Sequence, residues 1–322
     1  MAIYIVPQEL ILFRKWAIIF MREDTNMAMN TKQAAEKWGI SDRRVRKLCI
    51  DGAINGAFKI GKNWFIPEGE NKPSDARMKK EDSLLDLIFE KKLLLDSKRP
   101  FSEGELSQLY EEFMIEYTYN SNAIEGNTLT LRETDMVLRG LTIDQKPLKD
   151  HLEVIGHKEA FYYVLDLVKE KKEINEFIIK QIHSLVLNDK PMDRGVYRKI
   201  PVRIIGAFND PVQPYLIESK INELLIEYKN NNDNIAKKLA LFHILFEGIH
   251  PFIDGNGRTG RLLVNLELMK EGYPPIDIKY NDRKRYYEAF DAYYIKKDLS
   301  VMTKLFAEYI NERLDEYLRI LD

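Results

Sequence analysis

Twelve consecutive residues, 250–261, constrain this chain more than any other stretch. Their sequence is HPFIDGNGRTGR, which combines an imidazole, a carboxylate, an amide, three glycines and two guanidinium groups. Glycine and asparagine let a backbone turn tightly and direct its N–H groups at an anion. Arg258 and Arg261 are three residues apart, so on a helix they share a face, and the start of that helix adds its dipole. The stretch therefore predicts a loop and helix start that bind a polyphosphate.

Two further side chains of this stretch predict chemistry beyond anion binding. Asp254 is a hard oxygen ligand of the kind that holds Mg²⁺ against phosphates. His250 is the group of the stretch that can accept a proton near neutral pH. We therefore expect a metal ligand and a general base beside the anion site.

The same stretch also fits the dinucleotide-binding pattern G-x-G-x-x-G, over residues 255–260. That pattern requires a strand immediately before it. Here the upstream core residues recur three and four apart, which favours a helix; they are Leu239, Phe242, His243, Phe246 and Ile249. We therefore set the dinucleotide-binding interpretation aside.

Residues 250–261 resemble the signature of the Fic family, H-x-F-x-[DE]-G-N-G-R-x-x-R, at every fixed position. The resemblance implies a helical fold that transfers AMP from ATP to a Tyr, Thr or Ser hydroxyl of a target protein, with Mg²⁺. It implies His250 as the base and Asp254 as the metal ligand. The nucleotide-binding residues that it implies here are Asp254, Gly255, Asn256, Gly257, Arg258, Thr259, Gly260 and Arg261.

A second segment, Ser121–Gly126, follows an apolar helical stripe. Ser121 and Glu125 share a helix face, and Gly126 is a typical helix end. A carboxylate in the last turn meets the negative end of the helix dipole, at a cost of roughly 0.3–1 kcal/mol, so Glu125 is expected to have a cationic partner. The segment resembles the [ST]-x-x-x-E-[GN] inhibitory motif of Fic proteins. This implies an inhibitory helix around 105–126, in which Glu125 pairs with Arg261 and displaces the ATP γ-phosphate.

Residues 202–211 predict a β-hairpin, because β-branched residues precede a turn cluster. The hairpin resembles the Fic flap, which docks a target segment by strand addition, and it places Ile205, Gly206, Ala207 and Phe208 near the nucleotide. Many relatives have a histidine where this chain has Ala207-Phe208, which leaves target preference open. Tyr286 matches an aromatic residue of the family's adenine pocket, although such residues also pack in cores. Tyr294 replaces an asparagine of some relatives.

Residues 30–68 predict a separate winged helix-turn-helix module with duplex DNA as a partner. Eight basic residues face three acidic ones over residues 31–67. Four of them lie on the second predicted helix, where a DNA reader places its contacts: Arg43, Arg44, Arg46 and Lys47. Thr31 and Ser41 are the expected helix caps. A protein-docking or vestigial module is the alternative.

Net charge, cysteine content and the N-terminal residues indicate where the protein is found and what it does not bind. With 322 residues, a net charge of −2 and Cys49 as its one cysteine, the chain has no bulk attraction to nucleic acid, and a cytoplasmic location is expected. Residues 1–29 fit neither a membrane span nor a signal peptide. We interpret them as a poorly ordered extension, with Met27 and Met29 as candidate true starts and a short amphipathic segment as the alternative interpretation.

The predicted architecture is a mainly α Fic core at 80–322 with one β-hairpin flap, preceded by the winged module and a linker at 69–79. The expected partners are a target protein at the flap and duplex DNA, with no membrane; a homodimer stays open. Removal of AMP by the same site is an alternative activity. So is a DNA-binding regulator whose Fic core only senses nucleotide.

Overall fold

The computed structural model of the protein describes residues 28–73, 76–204 and 206–321. Most of the predicted extension, residues 1–27, therefore lies outside the described residues, as does Ile205 of the predicted flap. The chain divides into two compact units, residues 1–79 and 80–322. Among the described residues no helix is both long and apolar enough to span a membrane.

The N-terminal unit has two short helices and a small antiparallel sheet. The helices are α1 (Thr31–Trp38) and α2 (Asp42–Ile50), and the strands are β1 (Ala28–Asn30), β2 (Phe58–Ile60) and β3 (Asn63–Pro67), in the order β1-β3-β2. A small core holds these elements together, formed by Met29, Ala34, Val45, Cys49, Ile54 and Ile66.

Two expectations for this unit were wrong in detail. Residues 28 and 29 belong to β1 rather than to the extension, because Met29 pairs with Ile66 and is buried. The cap of α1 is Asn30 and not Thr31. The Asn30 side chain accepts from the backbone of Gln33 while the Gln33 side chain accepts from Asn30, a reciprocal capping box. Ser41 caps α2 as expected.

Only helices, and no strands, make up the regular secondary structure in the described part of the large unit. Its helices are α3 (Ala76–Ser97), α4 (Glu103–Ile124), α5 (Leu131–Leu138), α6 (Leu148–Lys169), α7 (Glu176–Val186), α8 (Ile217–Asn230), α9 (Ile235–Ile249), α10 (Asn256–Lys270), α11 (Arg283–Lys296) and α12 (Ser300–Leu321). Two single 3₁₀ turns, Pro214–Leu216 and Tyr280–Asp282, precede α8 and α11. Helix α3 begins inside the predicted linker 69–79, because residues 74–99 contain neither glycine nor proline.

Helix α10 is the centre of this unit. Every residue from Asn256 to Met269 is buried, and the helix packs against α6, α7 and α9. A helix surrounded in this way is fixed in position and axial direction. Its N-terminus, and the loop 250–255 that leads into it, are therefore held rigidly where the predicted anion site lies.

The predicted β-hairpin at 202–211 was wrong: the described residues on either side of Ile205 form no strand. Gly206 adopts a left-handed φ of 85°, and the Ala207 N–H donates to the Ile204 carbonyl at 3.2 Å, which gives one tight turn. A two-stranded hairpin is marginal by itself and needs a surface or a third strand to pair with. The β-branched residues of this segment find no such partner among the described residues.

Candidate active site

The loop 250–255 is shaped by two left-handed residues and one side-chain clamp. Helix α9 ends at Ile249, and His250 follows with φ 49°; Gly255 has φ 74° and begins α10. The Asn256 amide accepts from the Phe252 N–H at 2.9 Å and donates to the Phe252 carbonyl at 3.0 Å. Its side chain therefore closes the loop. The loop presents its N–H groups and the start of α10 to a neighbouring cavity.

That cavity measures about 510 Å³ and contains most of the predicted site. The predicted residues that line it are Glu125, Gly206, Ala207, His250, Asp254, Gly255, Asn256, Gly257, Arg261 and Tyr286. Four other predicted nucleotide-binding residues are not in its wall: Phe208, Arg258, Thr259 and Gly260. Phe208 is 68% exposed to solvent, whereas the other three lie in the buried first turns of α10 and face neighbouring helices.

Arg261 and Glu125 form an ion pair at this cavity, with 2.8 Å between a terminal guanidinium nitrogen and Glu125 Oε1. Arg261 is 3% exposed, and it also donates to the Ser121 hydroxyl at 3.1 Å and to the Ser121 carbonyl at 2.8 Å. Burial lowers the pKa of Arg261, but the Glu125 carboxylate raises it further, so the net pKa is above its usual value. The guanidinium is thus fully charged, and most of its hydrogen bonds go to Ser121 and Glu125 at the end of α4.

Glycine at position 257 is required by this pairing. A Cβ there would overlap Glu125 Oε1 and would lie 2.9 Å from a guanidinium nitrogen of Arg261. The carboxylate of Glu125 therefore rests directly on the first turn of α10. This turn is the position that the sequence predicts for an anion.

Arg258, predicted to bind phosphate, is instead 1% exposed and paired inside the protein. Its guanidinium lies 3.1 Å from Glu153 of α6 and 3.5 Å from Asp254, and it donates to the Asn122 side chain at 3.3 Å. Because these partners occupy it, the Arg258 side chain fixes α4, α6 and α10 to one another.

Asp254 lines the cavity with both of its oxygens occupied. Lys190 donates to Oδ2 at 2.5 Å, and the Gly255 N–H donates to Oδ1 at 2.7 Å. Burial would raise the pKa of Asp254, but the hydrogen bond from Lys190 and the charge of Arg258 lower it overall. Asp254 is therefore an anion at neutral pH, as a metal ligand has to be.

His250 is a partly buried, neutral imidazole at the edge of the cavity. Burial lowers its pKa to about 4, and the Arg198 guanidinium acts in the same direction. Its Nδ1 is buried and makes no hydrogen bond to any described residue. At neutral pH the ring can therefore accept a proton without first losing one.

Comparison with known proteins agrees with this arrangement. Residues 173–268 match the model of the Fic/DOC family. These residues form a Fic/DOC family domain. The chain is 31% identical over 258 residues to the protein adenylyltransferase Fic of Drosophila grimshawi, which covers 77% of this chain and 53% of that protein. It is 35% identical over 214 residues to that of Nematostella vectensis, covering 65% and 49%. The chain thus spans about half the length of the curated relatives it matches.

Solved structures support the Fic fold. Fic-1 from C. elegans superposes with a TM-score of 0.67 at 27% identity, over 76% of this chain and 73% of that one. A Fic-domain signalling protein from Bacteroides thetaiotaomicron superposes with a TM-score of 0.63 at 26% identity, over 74% and 96%. The mainly helical fold is therefore of the Fic type.

Arg198 is a residue of this Fic domain that the sequence analysis did not place in the site. It is buried, and its guanidinium donates to backbone carbonyls: His250 at 2.8 Å, Ile200 at 3.0 Å and Val212. Its own N–H donates to the Pro251 carbonyl at 3.0 Å. Arg198 therefore ties both ends of the segment 200–212 to the backbone beside His250. Because Arg194 and Lys199 are basic residues close to it in sequence, the sequence alone does not show that Arg198 is the one that contacts the site.

Glu247 is a second missed residue of the Fic site, and the sequence carried a signal for it. It is the only acidic residue of the apolar helix α9, and it lies three residues before His250. Its Oε2 is 3.8 Å from His250 Nδ1, and it lines the cavity. A lone acid in an apolar helix indicates a local requirement for a carboxyl group.

Two aromatic residues lie near this acid, on α11. Tyr286 is buried, lines the cavity and hydrogen-bonds His243 at 2.5 Å. Tyr294 donates its hydroxyl proton to the Ile244 carbonyl at 2.9 Å and so packs on α9. A Cβ on Gly248 would overlap the Tyr294 hydroxyl, which explains the glycine there.

Proposed function

We propose that this chain is a protein adenylyltransferase, which transfers AMP from ATP to a Tyr, Thr or Ser hydroxyl group of a target protein. The observation that carries the proposal is the neutral His250, which shares one cavity wall with Arg261 and Asp254 beside the N-terminus of α10. Such a cavity combines a proton acceptor with an anion site. The named relatives are protein adenylyltransferases.

The proposed reaction is an in-line displacement at the α-phosphorus. The target oxygen attacks as the bond between the α-phosphorus and the oxygen of the leaving diphosphate breaks, and His250 accepts the hydroxyl proton. The N–H groups at the start of α10 and the Arg261 guanidinium stabilise the charge that develops on the phosphates. With Nδ1 buried, Nε2 is the ring nitrogen that serves as base.

Mg²⁺ is the cofactor that Fic proteins imply, and the residues present are compatible with it. Within the described part of the chain no cluster of three His, Cys, Asp or Glu side chains could hold a metal. Mg²⁺ commonly needs only one or two carboxylates, with phosphates and waters supplying the other ligands. Asp254 would be that carboxylate, once Lys190 leaves it. Bound Mg²⁺ would neutralise phosphate charge.

The Glu125–Arg261 pair is proposed to restrain this activity in cis. In the proposal, Arg261 is needed to hold the γ-phosphate, and Glu125 occupies it. ATP then binds with its α-phosphate poorly aligned for attack. Glu125 is a third exposed and stands at the end of α4, so a small displacement of that helix end would release the arginine.

Transfer of radioactivity from α-labelled ATP with Mg²⁺ tests the function directly. The wild type and the Glu125→Gly variant are incubated with candidate targets and with themselves alone. Label on protein, absent with γ-labelled ATP, supports AMP transfer. Loss of label from an AMP-modified protein, without incorporation, would instead support the alternative activity of AMP removal, in which Glu125 positions a water molecule.

We infer a second candidate function, duplex DNA binding, for residues 31–67. The supporting observation is that α2 buries Val45 and Cys49 while Arg43, Arg44, Arg46 and Lys47 are exposed. Arg46 pairs with Asp42 at 2.7 Å, a contact that DNA phosphates could replace. A gel-shift assay with a pool of duplexes tests this. Binding should weaken steeply with salt and disappear when the four residues become alanine; absence of any complex at low salt removes DNA as a partner and leaves a protein-docking module.

A further inference from the structure

The carboxyl group of Glu247 is enclosed between two helices at the wall of the cavity. It lies in the last turn of α9 and is 14% exposed. On its inner side, a Cβ on Gly260 of α10 would lie 2.9 Å from Glu247 Oε1. The His243 ring lies equally close to this Cβ position, so glycine at position 260 leaves room for both side chains. The close approach indicates that the carboxyl group occupies a built position and not a chance one.

The two oxygens of this carboxyl group have different surroundings. Oε1 is buried and has no hydrogen-bond partner among the residues described. Oε2 is the oxygen nearer the base, 3.8 Å from His250 Nδ1. A buried carboxyl oxygen without a partner is costly, so a group that lies in a cavity wall in this state requires a ligand or a proton.

A line of buried polar groups runs from Arg261 to this acid. Arg261 donates to the Tyr286 hydroxyl at 3.4 Å, and Tyr286 and His243 Nε2 are 2.5 Å apart. Because Arg261 can only donate, the Tyr286 proton goes to His243 Nε2, and His243 carries its own proton on Nδ1. That Nδ1 lies 2.9 Å from the same Gly260 Cβ position as Glu247 Oε1. His243 Nδ1 and Glu247 Oε1 are both buried without a hydrogen-bond partner among the described residues.

The charge of Glu247 is set by its neighbours on four helices. Its pKa is raised to about 8: burial is the largest cause, and the Glu125 carboxylate at the end of α4 raises the pKa more than Arg261 of α10 lowers it. The neighbouring histidines of α9, His243 and His250, are neutral at pH 7 because burial lowers their pKa values. From α11, Tyr286 and Tyr294 have pKa values raised above the usual value of tyrosine by burial.

We infer that Glu247 is a nucleotide-binding residue that acts as an uncharged acid, donating a hydrogen bond from its carboxyl group to an oxygen atom of the bound nucleotide. The inference rests on the proposed function and extends it to a residue outside the twelve-residue signature. A carboxylate at this place would repel a polyphosphate, whereas a protonated carboxyl group supplies a donor without repulsion. The site must therefore lose nucleotide affinity as Glu247 ionises.

Binding of ADP to the full chain tests this, measured by titration calorimetry between pH 7 and 9 at fixed Mg²⁺ and ionic strength. If only the protonated form binds, the wild-type affinity falls about tenfold over this range, in proportion to the competent fraction. The nucleotide contributes little, since phosphate loses its second proton near pH 6. Glu247→Gln carries a permanent neutral donor. Whatever the affinity of this variant for ADP at pH 7, that affinity should change by less than about twofold between pH 7 and 9.

The outcomes of this experiment distinguish the proposed function from the role inferred for Glu247. If ADP and ATP fail to bind to the wild type at pH 7, both the proposed function and this inference are overturned. Nucleotide binding that is independent of pH in the wild type overturns this inference alone, and this arm needs no variant to fold. An equal loss of affinity in the wild type and in a folded Glu247→Gln, verified by thermal melting, assigns the pH effect elsewhere and also overturns it.

Discussion

Glu125 Oε1 and the Arg261 guanidinium are 2.8 Å apart, although 136 residues separate them in sequence. Three atoms of α4 converge on this one arginine, because the Ser121 hydroxyl and carbonyl accept from it as well. Helix α4 therefore ends at the cavity that holds the candidate site. Release of Arg261 requires movement of the end of α4 and not a side-chain rotation alone.

Replacing Glu125 with glycine is expected to raise the rate of AMP transfer, including self-modification, by about tenfold or more. Better alignment of the α-phosphate that lowers the activation free energy by about 1.4 kcal/mol raises the rate tenfold. ATP affinity should change less, because the remaining phosphate contacts are intact. Rates on one target at saturating ATP measure this. Arg261→Ala should be inactive with or without the glycine. Equal rates for wild type and Glu125→Gly would make Glu125 a helix-end residue only.

Replacing His250 with alanine is expected to remove AMP transfer while nucleotide binding persists. General-base catalysis contributes about 10²–10⁴-fold, and the phosphate contacts do not involve the imidazole ring. Transfer from α-labelled ATP is compared with ADP affinity in the Glu125→Gly background, where the rate is measurable. His151→Ala, outside the cavity, serves as the histidine control. Turnover within a few-fold of the parent would exclude His250 as the base.

Local sequence rules predicted those parts of the fold that depend on local contacts. Thr130 and Glu133 form the capping box that their spacing predicts, and Ser41 caps α2. A carboxylate at the wrong end of a helix dipole correctly indicated a cationic partner for Glu125. The groups of each helix cap lie within one helical turn. The unfavourable interaction between the Glu125 carboxylate and the helix dipole likewise arises within one helix.

The parts that failed depend on contacts that the sequence does not specify. The flap strands need a partner edge, which the described residues do not supply. Phosphate binding by Arg258 stays a prediction, but its pairing with Glu153 on another helix could not be read from the sequence. Arg198 and Glu247 enter the site only because α9, α10 and the segment 196–212 pack together. Sequence spacing shows which residues share a helix face, but it does not show which buried residue each of them contacts.

The Arg258–Glu153 pair is expected to be a large contributor to stability, as both side chains are nearly fully buried. Glu153→Ala leaves a buried guanidinium without its carboxylate, which costs about 3–5 kcal/mol. Replacing both partners, as Glu153→Leu with Arg258→Met, should recover much of this loss. Urea unfolding followed by helix circular dichroism measures it. Additive losses in the double variant would show that each side chain acts separately.

Lys190 is expected to compete with a divalent cation for Asp254, whose Oδ2 it contacts at 2.5 Å. The two side chains are about a third exposed, so the pair is worth at most about 1 kcal/mol. Lys190→Met should therefore tighten Mn²⁺ binding in the presence of ADP by about two- to fivefold. Electron paramagnetic resonance of free Mn²⁺ measures this without catalysis. Lys229→Met, which breaks the surface pair with Glu173, is the matched control and should have no effect.

Arg198 is expected to position His250 through the backbone and to keep its imidazole neutral. Lysine at 198 retains the charge but cannot reach three carbonyls, so AMP transfer in the Glu125→Gly background should fall about tenfold or more, with KM for ATP changed less. Glutamine at 198 removes the charge as well. Because Arg198 lowers the pKa of His250, its loss should raise that pKa, while burial still holds it below the usual value.

The pH–rate profile separates the positioning of His250 by Arg198 from the effect of the Arg198 charge on the His250 pKa. The base must be neutral, so transfer by the Glu125→Gly parent should stay constant as the pH falls from 8 toward 5 and decline only near the His250 pKa of about 4. The decline should begin at higher pH in Arg198→Gln than in Arg198→Lys, since only glutamine removes the charge. Thermal melting verifies that both variants are folded. Coincident acid limbs in the two variants would show that the charge of Arg198 does not act on His250, and unchanged rates in Arg198→Lys would exclude the positioning role.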